Sequence, residues 1–149
     1  MRLWHYKLIP FLPKSQLLAQ WRELNSIFKN QPKHILINYV YEYPKFDLLR
    51  YTSLVLDELQ RRRICVYQDN CNRYFDDMEI FDRQMAGNTK SSYKFIPFEK
   101  HHDFIYLREC FYNLEEKYNR GQKDFDFQTY NNLFEFYQGE VDKHFISIL

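Results

Sequence analysis

The first clear helical pattern in the chain is SQLLAQWRELNSIF, residues 15–28. Apolar side chains recur along it three and four residues apart: Leu17, Leu18, Trp21, Leu24 and Phe28. This spacing puts them on one face of an α-helix. Ser15 is a residue type that caps helix N-termini, so we expect the helix to run from about Gln16 to Phe28. Arg22 and Glu23 then lie beside the apolar face, at the edge of a partly exposed cleft.

A second helix is predicted from Phe46 to Arg63, where the apolar stripe consists of Leu48, Tyr51, Val55 and Leu59. It ends in three arginines, Arg61, Arg62 and Arg63. Cations at a helix C-terminus interact favourably with the helix dipole. Three adjacent arginines spread over most of a turn and cannot all interact with the dipole, so contact with phosphates is the alternative interpretation.

The remaining segments continue the helical pattern. Residues 34–43 suit a short buried strand or a helix, and we favour a helix. Further elements are predicted in this order: a helix from Tyr74 to Met85 with Gly87 beyond it, a loop over 88–100, a helix over Phe104–Tyr118 that ends near Gly121, and a helix over Phe125–Tyr137. Only three glycines, no internal repeat and no strand-like alternation predict a compact all-α fold. We expect one domain over residues 1–149, with about four to six helices.

Composition and charge bear on the partner. The chain has 13 Tyr, 14 Phe and 2 Trp, which fill a core or supply surfaces on which bases stack. Residues 1–63 carry 11 Lys or Arg against 5 Asp or Glu, whereas residues 101–149 carry 5 against 9. A basic half beside an acidic half is typical of a protein that offers one face to phosphates, although halves of a sequence need not be halves of a surface.

The sequence predicts no metal site, no membrane-spanning segment and no signal peptide. Cys65, Cys71 and Cys110 are odd in number and show no C-x-x-C spacing, so zinc, a disulfide framework and any cofactor are not expected. No apolar stretch approaches the ~20 residues of a membrane span. Pro10 and Pro13 interrupt any signal-peptide core, so we expect a cytoplasmic protein that begins at Met1.

The candidate chemistry combines an amine with a carboxylate. An α-amine loses its proton more readily than a lysine side chain, so it can act as a nucleophile at neutral pH. Glu23 is the carboxyl group that would move protons for the amine of Met1. His34, with Asn38 on the same face of a helix, is either a phosphate or sugar ligand or a structural histidine. For His101 and His102 we expect exposed loop positions, with Asp103 as a helix N-cap, rather than a metal site.

The run Trp21-Arg22-Glu23-Leu24, preceded by Leu17-Leu18-Ala19, resembles the pyrimidine-dimer DNA glycosylase family of the endonuclease V type. That family has an aromatic-Arg-Glu-Leu run on a helix near its N-terminus and an arginine near the terminus, similar to Arg2 here. Its second long helix also ends in basic residues, as residues 46–62 do in this chain. The resemblance extends over residues 1–63.

The resemblance implies a DNA-repair glycosylase with abasic-site lyase activity on pyrimidine-dimer-containing duplex DNA. The terminal amine would attack the sugar C1′ and form a Schiff base, Glu23 would shuttle protons, and Arg2 and Arg22 would hold phosphates. No metal is implied. The alternative is a non-catalytic helical domain that keeps the fold and binds nucleic acid or protein.

This chain departs from the family pattern at several positions. Arg2 is bulky, so we expect the initiator methionine to stay and its amine to be the nucleophile. Gln16 and Ser26 stand where the phage enzyme of the family has a histidine and an arginine, and the C-terminal tail at residues 145–149 has no counterpart. These departures weaken the prediction of pyrimidine dimers as the substrate more than they weaken the prediction of amine–carboxylate chemistry.

Overall fold

The computed structural model describes residues 1–67, 69–72, 76 and 95–149. Within these ranges the chain forms four α-helices and two 3₁₀ helices that are described over their whole length, further helical residues at 69–72 and 76, and no strand, which confirms the predicted all-α fold. In chain order these are η1 (Tyr6–Phe11), α1 (Lys14–Asn30), η2 (Asn38–Glu42), α2 (Lys45–Arg61), α3 (Phe104–Asn119) and α4 (Phe127–Ile148). The helix predicted at Tyr74–Met85, Gly87 and most of the loop at 88–100 lie outside the described residues.

Helix α1 confirms the first pattern but begins earlier than predicted. Its N-cap is Pro13, and the prediction of Ser15 as the cap is wrong. The backbone N–H and hydroxyl of Ser15 instead donate to the carboxylate of Asp124, at 2.6 and 2.8 Å. The hydroxyl therefore makes a tertiary contact that a local cap rule does not anticipate. The helix ends at Gln31, whose backbone is left-handed with φ 47°.

The apolar stripes of α1 and α2 face each other. The residues buried on α1 include Leu17, Trp21, Leu24 and Ile27, while Leu18 and Phe28 are partly buried. On α2 the whole predicted stripe is buried: Leu48, Tyr51, Val55 and Leu59. The two helices pack against each other, and η1 packs against α2. Burial of these side chains is the main force that holds the pair together.

Residues 34–43 form less helix than predicted. A turn covers residues 35–37, and only the short 3₁₀ helix η2 follows. The side-chain oxygen of Asn38 accepts a hydrogen bond from the backbone N–H of His34 at 2.8 Å. An asparagine that binds backbone in this way stabilises a turn in place of a regular helix, and Pro44 then leads into α2.

The C-terminal half forms a hairpin of α3 and α4. Asp103 caps α3 by accepting a hydrogen bond from Tyr106 N–H, as predicted, and Gly121 at φ 80° follows the end of the helix. Helix α4 is longer than predicted, because it continues past Tyr137 to Ile148. The rings of Phe111 and Tyr137 stack with centroids 4.0 Å apart across the hairpin. In this pair the aromatic residues serve core packing.

The N-terminal segment lies at the centre of the fold. Leu3, Trp4 and His5 are buried, and η1 packs against α2, α3 and α4. The first residues of the chain are therefore part of the core. Among the described residues, no helix is long and apolar enough to cross a membrane.

Candidate active site at the N-terminus

Hydrogen bonds from three helices fix the backbone of residues 2–5. From α1, the Gln20 side-chain oxygen accepts from Trp4 N–H at 2.8 Å. From α2, the Tyr51 hydroxyl lies 2.6 Å from the carbonyl oxygen of Trp4. From α3, the Tyr106 hydroxyl donates to the carbonyl of Leu3. These bonds hold the backbone of Leu3 and Trp4 against three helices, and so limit where the first residue of the chain can lie.

Glu23 lies beside the start of this segment. Its Oε2 accepts from the backbone N–H of Arg2 at 3.2 Å and from the side-chain nitrogen of Gln20 at 3.2 Å. The nitrogen atoms of Met1 and Arg2 are three bonds apart, so the amine lies within roughly 7 Å of this oxygen. The structure thus brings the predicted amine and carboxylate together, from positions more than 20 residues apart in the sequence.

The environment of Glu23 favours proton transfer. Burial raises the pKa of this carboxyl, and this effect outweighs the hydrogen bond from Arg2 N–H, the charge of the terminal amine and the hydrogen bond from Gln20, all of which lower it. A raised pKa brings a carboxyl group closer to neutral pH, which is the direction that favours acid–base catalysis. The acid–base role of Glu23 stays a prediction.

The two arginines predicted to hold phosphates occupy different environments. Arg2 is half-buried, with its guanidinium carbon 5.9 Å from the centroid of the Tyr106 ring. Its Nη1 is buried and has no hydrogen-bond partner among the described residues. Arg22 is exposed next to Glu23. Arg22 is therefore the arginine whose side chain is exposed next to the carboxylate, whereas the Arg2 side chain lies against Tyr106 in the interior.

The predicted exposure of both loop histidines is wrong, because His102 is buried with 4% of its surface exposed. Its Nδ1 accepts from Tyr6 N–H at 3.2 Å, and its Nε2 lies 2.8 Å from the Tyr39 hydroxyl. His5 Nδ1 likewise accepts from a backbone N–H, that of Lys7, while its Nε2 lies 2.8 Å from the His102 carbonyl.

These contacts fix each of the two rings as a neutral imidazole that carries its proton on Nε2. Burial lowers the pKa of His5 from 6.5 to about 4 and that of His102 from 6.5 to about 2. His101 is partly exposed and stacks on Tyr39, with ring centroids 3.6 Å apart. The described residues contain no group of three or more side chains arranged to hold a metal ion.

His34 lies at an exposed turn away from these buried contacts. Its Nδ1 accepts a hydrogen bond from Leu36 N–H at 3.1 Å. That bond and the bond from His34 N–H to Asn38 give this residue a local structural role. Contact with a phosphate or sugar stays a prediction.

The three arginines at the end of α2 have different roles. Arg61 and Arg62 both bind the buried carboxylate of Glu58, with Nε–oxygen distances of 2.9 and 2.7 Å. Arg62 also donates to the carbonyls of Leu12 and Pro10, at 2.7 and 3.0 Å. Arg63 is exposed, with a left-handed backbone at φ 58°. Phosphate binding by the triplet stays a prediction.

Sequence reasoning missed the groups that hold the N-terminal segment. They are Gln20, Tyr39, Tyr51, His102 and Tyr106. Of these groups, only Gln20 could have been noticed in the sequence, because it lies between Leu17 and Leu24 of the apolar stripe. A glutamine that is buried there requires hydrogen-bond partners, and Gln20 is 1% exposed. Those partners are distant in sequence and could not be named from the pattern.

The fold and the site together define a helical protein whose N-terminal backbone is held against a half-buried glutamate. The family model described as Pyrimidine dimer DNA glycosylase matches residues 1–74, the N-terminal half, which contains Met1, Gln20, Glu23 and Tyr51. The match supports the predicted resemblance of this part of the chain to the pyrimidine dimer DNA glycosylase family. No curated protein and no solved structure matches the chain significantly.

Proposed function

We propose that this protein is a DNA glycosylase with abasic-site lyase activity, in which the amine of Met1 is the nucleophile and Glu23 moves the protons. The observation that supports the proposal is the 3.2 Å hydrogen bond from Arg2 N–H to Glu23 Oε2, because Arg2 directly follows the residue that carries the amine. The family match supports DNA that contains pyrimidine dimers as the substrate.

The proposed reaction begins with attack of the unprotonated amine on C1′ of the damaged nucleotide. A C1′–N bond forms, the glycosidic bond breaks and the base leaves with the bonding electrons. Glu23 donates a proton to the ring oxygen as the sugar opens, which gives an imine. The ionised Glu23 then removes a proton from C2′, and the 3′ phosphate leaves by β-elimination. Water hydrolyses the imine and restores the amine.

Arginines in this part of the chain are candidates to bind the phosphates of the DNA backbone. Arg22 is exposed beside Glu23, whereas the Arg2 nitrogen that has no partner among the described residues is buried. Arg22 is therefore the better placed of the two to bind a phosphate. Guanidinium groups bind phosphate by paired hydrogen bonds. Gln16, which departs from the family pattern, donates to Gln122 at 3.1 Å and belongs to the contact between α1 and the α3–α4 connection. It is therefore not among the proposed DNA ligands.

Borohydride trapping tests the proposal directly. Protein that begins at Met1 should form a covalent adduct with duplex DNA containing an abasic site, because borohydride reduces the imine. A short Gly-Ser extension before Met1 moves the amine away from Glu23 and should abolish the adduct while leaving DNA binding intact. Mass spectrometry of the adduct should place the DNA on the N-terminal peptide.

The outcomes separate the competing functions. If the extended protein still cross-links, the nucleophile is a lysine, and Lys7, Lys14 and Lys33 are the residues to examine. Lys7 already binds Glu140 at 2.8 Å, which makes it the least accessible of the three as a nucleophile. If neither protein cross-links although both bind DNA, the non-catalytic binding domain is the correct interpretation.

A further inference from the structure

Gln20 is the point at which the N-terminal segment and Glu23 are joined. It lies in the middle of α1 and is 1% exposed. Its Oε1 accepts from Trp4 N–H at 2.8 Å and lies 2.8 Å from the Tyr51 hydroxyl. Its Nε2 donates to the Arg2 carbonyl at 3.1 Å and to Glu23 Oε2 at 3.2 Å. One side-chain amide thus contacts the backbone on both sides of Leu3 and the carboxylate as well.

These contacts use the whole hydrogen-bonding capacity of the amide. A glutamine side chain has two N–H donors and an oxygen with two lone pairs. The orientation of the amide is also determined, because Trp4 N–H can only donate and so requires the oxygen on its side. The nitrogen must then face the Arg2 carbonyl and Glu23. A glutamate at this position would oppose Glu23 with a second carboxylate. A methionine would remove the bonds to Trp4 N–H and the Arg2 carbonyl, and would leave Glu23 Oε2 with Arg2 N–H and the Tyr51 hydroxyl with the Trp4 carbonyl.

Simple packing does not account for a glutamine here. The neighbouring positions of the stripe are filled by Leu17, Trp21 and Leu24, and an apolar residue of similar size would fill the same volume. Burying an amide is unfavourable unless each polar atom is bonded. The benefit of this amide is geometric, since it links two backbone groups of the terminal segment to the carboxylate.

We propose that Gln20 is a positioning residue that sets the distance between the Met1 amine and the Glu23 carboxylate. This inference rests on the proposed amine–carboxylate function. Gln20 touches neither substrate nor reacting atoms, and it acts through the two groups that do. Tyr51 supports it, because the hydroxyl shares its single hydrogen between Trp4 O and Gln20 Oε1.

The test compares Gln20→Met with Gln16→Met, a matched control one turn earlier on α1 whose side chain binds only Gln122. Each protein is assayed at saturating duplex DNA for the single-turnover rate of borohydride trapping. Affinity is measured separately with a tetrahydrofuran abasic analogue, which cannot form an imine. Gln20→Met should slow trapping roughly ten- to a hundredfold, since small displacements of reacting groups have effects of this size. Affinity should stay within a few fold, and the control should be unchanged in both.

The pH dependence provides a readout that a purely structural role would not change. The N–H of Gln20 stabilises the ionised carboxylate, so its loss should raise the pKa of Glu23 further. Imine formation uses the protonated form of Glu23, so the alkaline limb of the trapping rate should move to higher pH in Gln20→Met and not in Gln16→Met. The same shift should appear in the ¹³C NMR titration of the Glu23 carboxyl in the free protein, where no catalysis is needed.

The results distinguish this inference from the proposed function. If the wild type traps DNA and Gln20→Met matches it in rate and in Glu23 titration, the positioning role is wrong and the proposed function stands. If the wild type does not trap at all, the proposed function is wrong. Should Gln20→Met fail to fold, Tyr51→Phe removes one contact of Gln20 Oε1 and leaves the donors to Glu23 in place. It should slow trapping several-fold without moving the alkaline limb, and an unchanged rate would overturn the inference.

Discussion

Glu23 presents its two oxygens to different surroundings. Both hydrogen bonds recorded for the side chain, from Arg2 N–H and Gln20 Nε2, reach Oε2. No hydrogen bond reaches Oε1 from the described part of the chain, so we infer that Oε1 is the atom that moves protons. The bonded oxygen fixes the carboxyl group in place, and the other oxygen is available to the substrate.

Glu23→Gln is expected to remove the lyase reaction and preserve the site. The amide oxygen can still accept from Arg2 N–H, but the group can no longer gain and lose a proton. Proton transfer by a positioned side chain contributes roughly 10²–10⁴-fold in rate, so single-turnover cleavage of abasic DNA should fall by about that factor. DNA affinity should change by no more than a few fold.

The matched control is Glu116→Gln, which removes an exposed carboxylate on α3 that binds Arg120. It should leave cleavage unchanged. Cleavage by Glu23→Gln at the wild-type rate would mean that another group moves the protons.

At the scale of elements, the C-terminal end of α2 combines a structural arginine with two exposed ones. The side chain of Arg62 is 20% exposed and joins Glu58 to the connection between η1 and α1, whereas that of Arg61 is 66% exposed. Burial alone would raise the pKa of Glu58, but hydrogen bonds from Arg61 and Arg62 outweigh it and lower the pKa. Arg62 therefore has a structural role, and the dipole and phosphate interpretations remain as alternatives for Arg61 and Arg63.

Substitutions in the triplet should separate stability from DNA binding. Arg62→Met should lower the free energy of unfolding by about 2–3 kcal/mol, because it removes charged hydrogen bonds and leaves the buried Glu58 with one partner. The double change of Arg61 and Arg63 to Met should cost less stability than Arg62→Met, because Arg61 is 66% exposed and Arg62 still binds Glu58. If both contact phosphates, it should reduce the slope of log K against log salt by about 0.9 for each contact.

Chemical denaturation and salt-dependent DNA affinity measure the two effects. A salt slope that the double change leaves unaltered would place this end of α2 away from the DNA and leave the helix dipole as the explanation of the exposed arginines.

At the scale of the whole molecule, the N-terminal segment joins the two helical pairs. Gln20 and Tyr51 bind it from α1 and α2, and Tyr106 and His102 bind it from α3 and the turn before it. The candidate nucleophile is thereby attached to the core, and its position depends on the packing of both halves. The buried histidines at this junction make that packing sensitive to acid.

Stability should therefore fall as the pH drops below about 6.5. Both His5 and His102 have a folded-state pKa below that of the unfolded chain, so only the unfolded state takes up their protons between pH 6.5 and about 4. Each histidine then reduces the free energy of unfolding by up to about 1.4 kcal/mol per pH unit. Glu23 and Asp47, whose pKa values burial raises, act in the opposite direction.

The effect is measured as the difference between the wild type and His102→Gln in urea denaturation at pH 7.5 and 5.5. The variant should lose less stability over this interval than the wild type. His34→Gln, an exposed control, should follow the wild type. Equal losses in the wild type and His102→Gln would show that His102 is not held neutral in the fold.

The sequence by itself determined the parts of this protein that depend on local geometry. The three- and four-residue spacing of Leu17, Trp21 and Leu24 predicted α1, and the same spacing predicted α2 and α3, because helix periodicity is a property of consecutive residues. The Arg22-Glu23 run within its helix indicated the family and the amine–carboxylate pair. Asp103 was identified as a cap, since its partner is only three residues away.

The tertiary structure alone decided which groups hold the pair in place. Trp4 meets Gln20 across 16 residues, Tyr51 meets Trp4 across 47, and Tyr106 meets Leu3 across 103. A hydrogen bond between such distant groups exists only once the helices have packed, and no local pattern records it. The same reason explains why Ser15 binds Asp124 instead of capping α1, and why His102 is buried although its neighbours in sequence are exposed or polar.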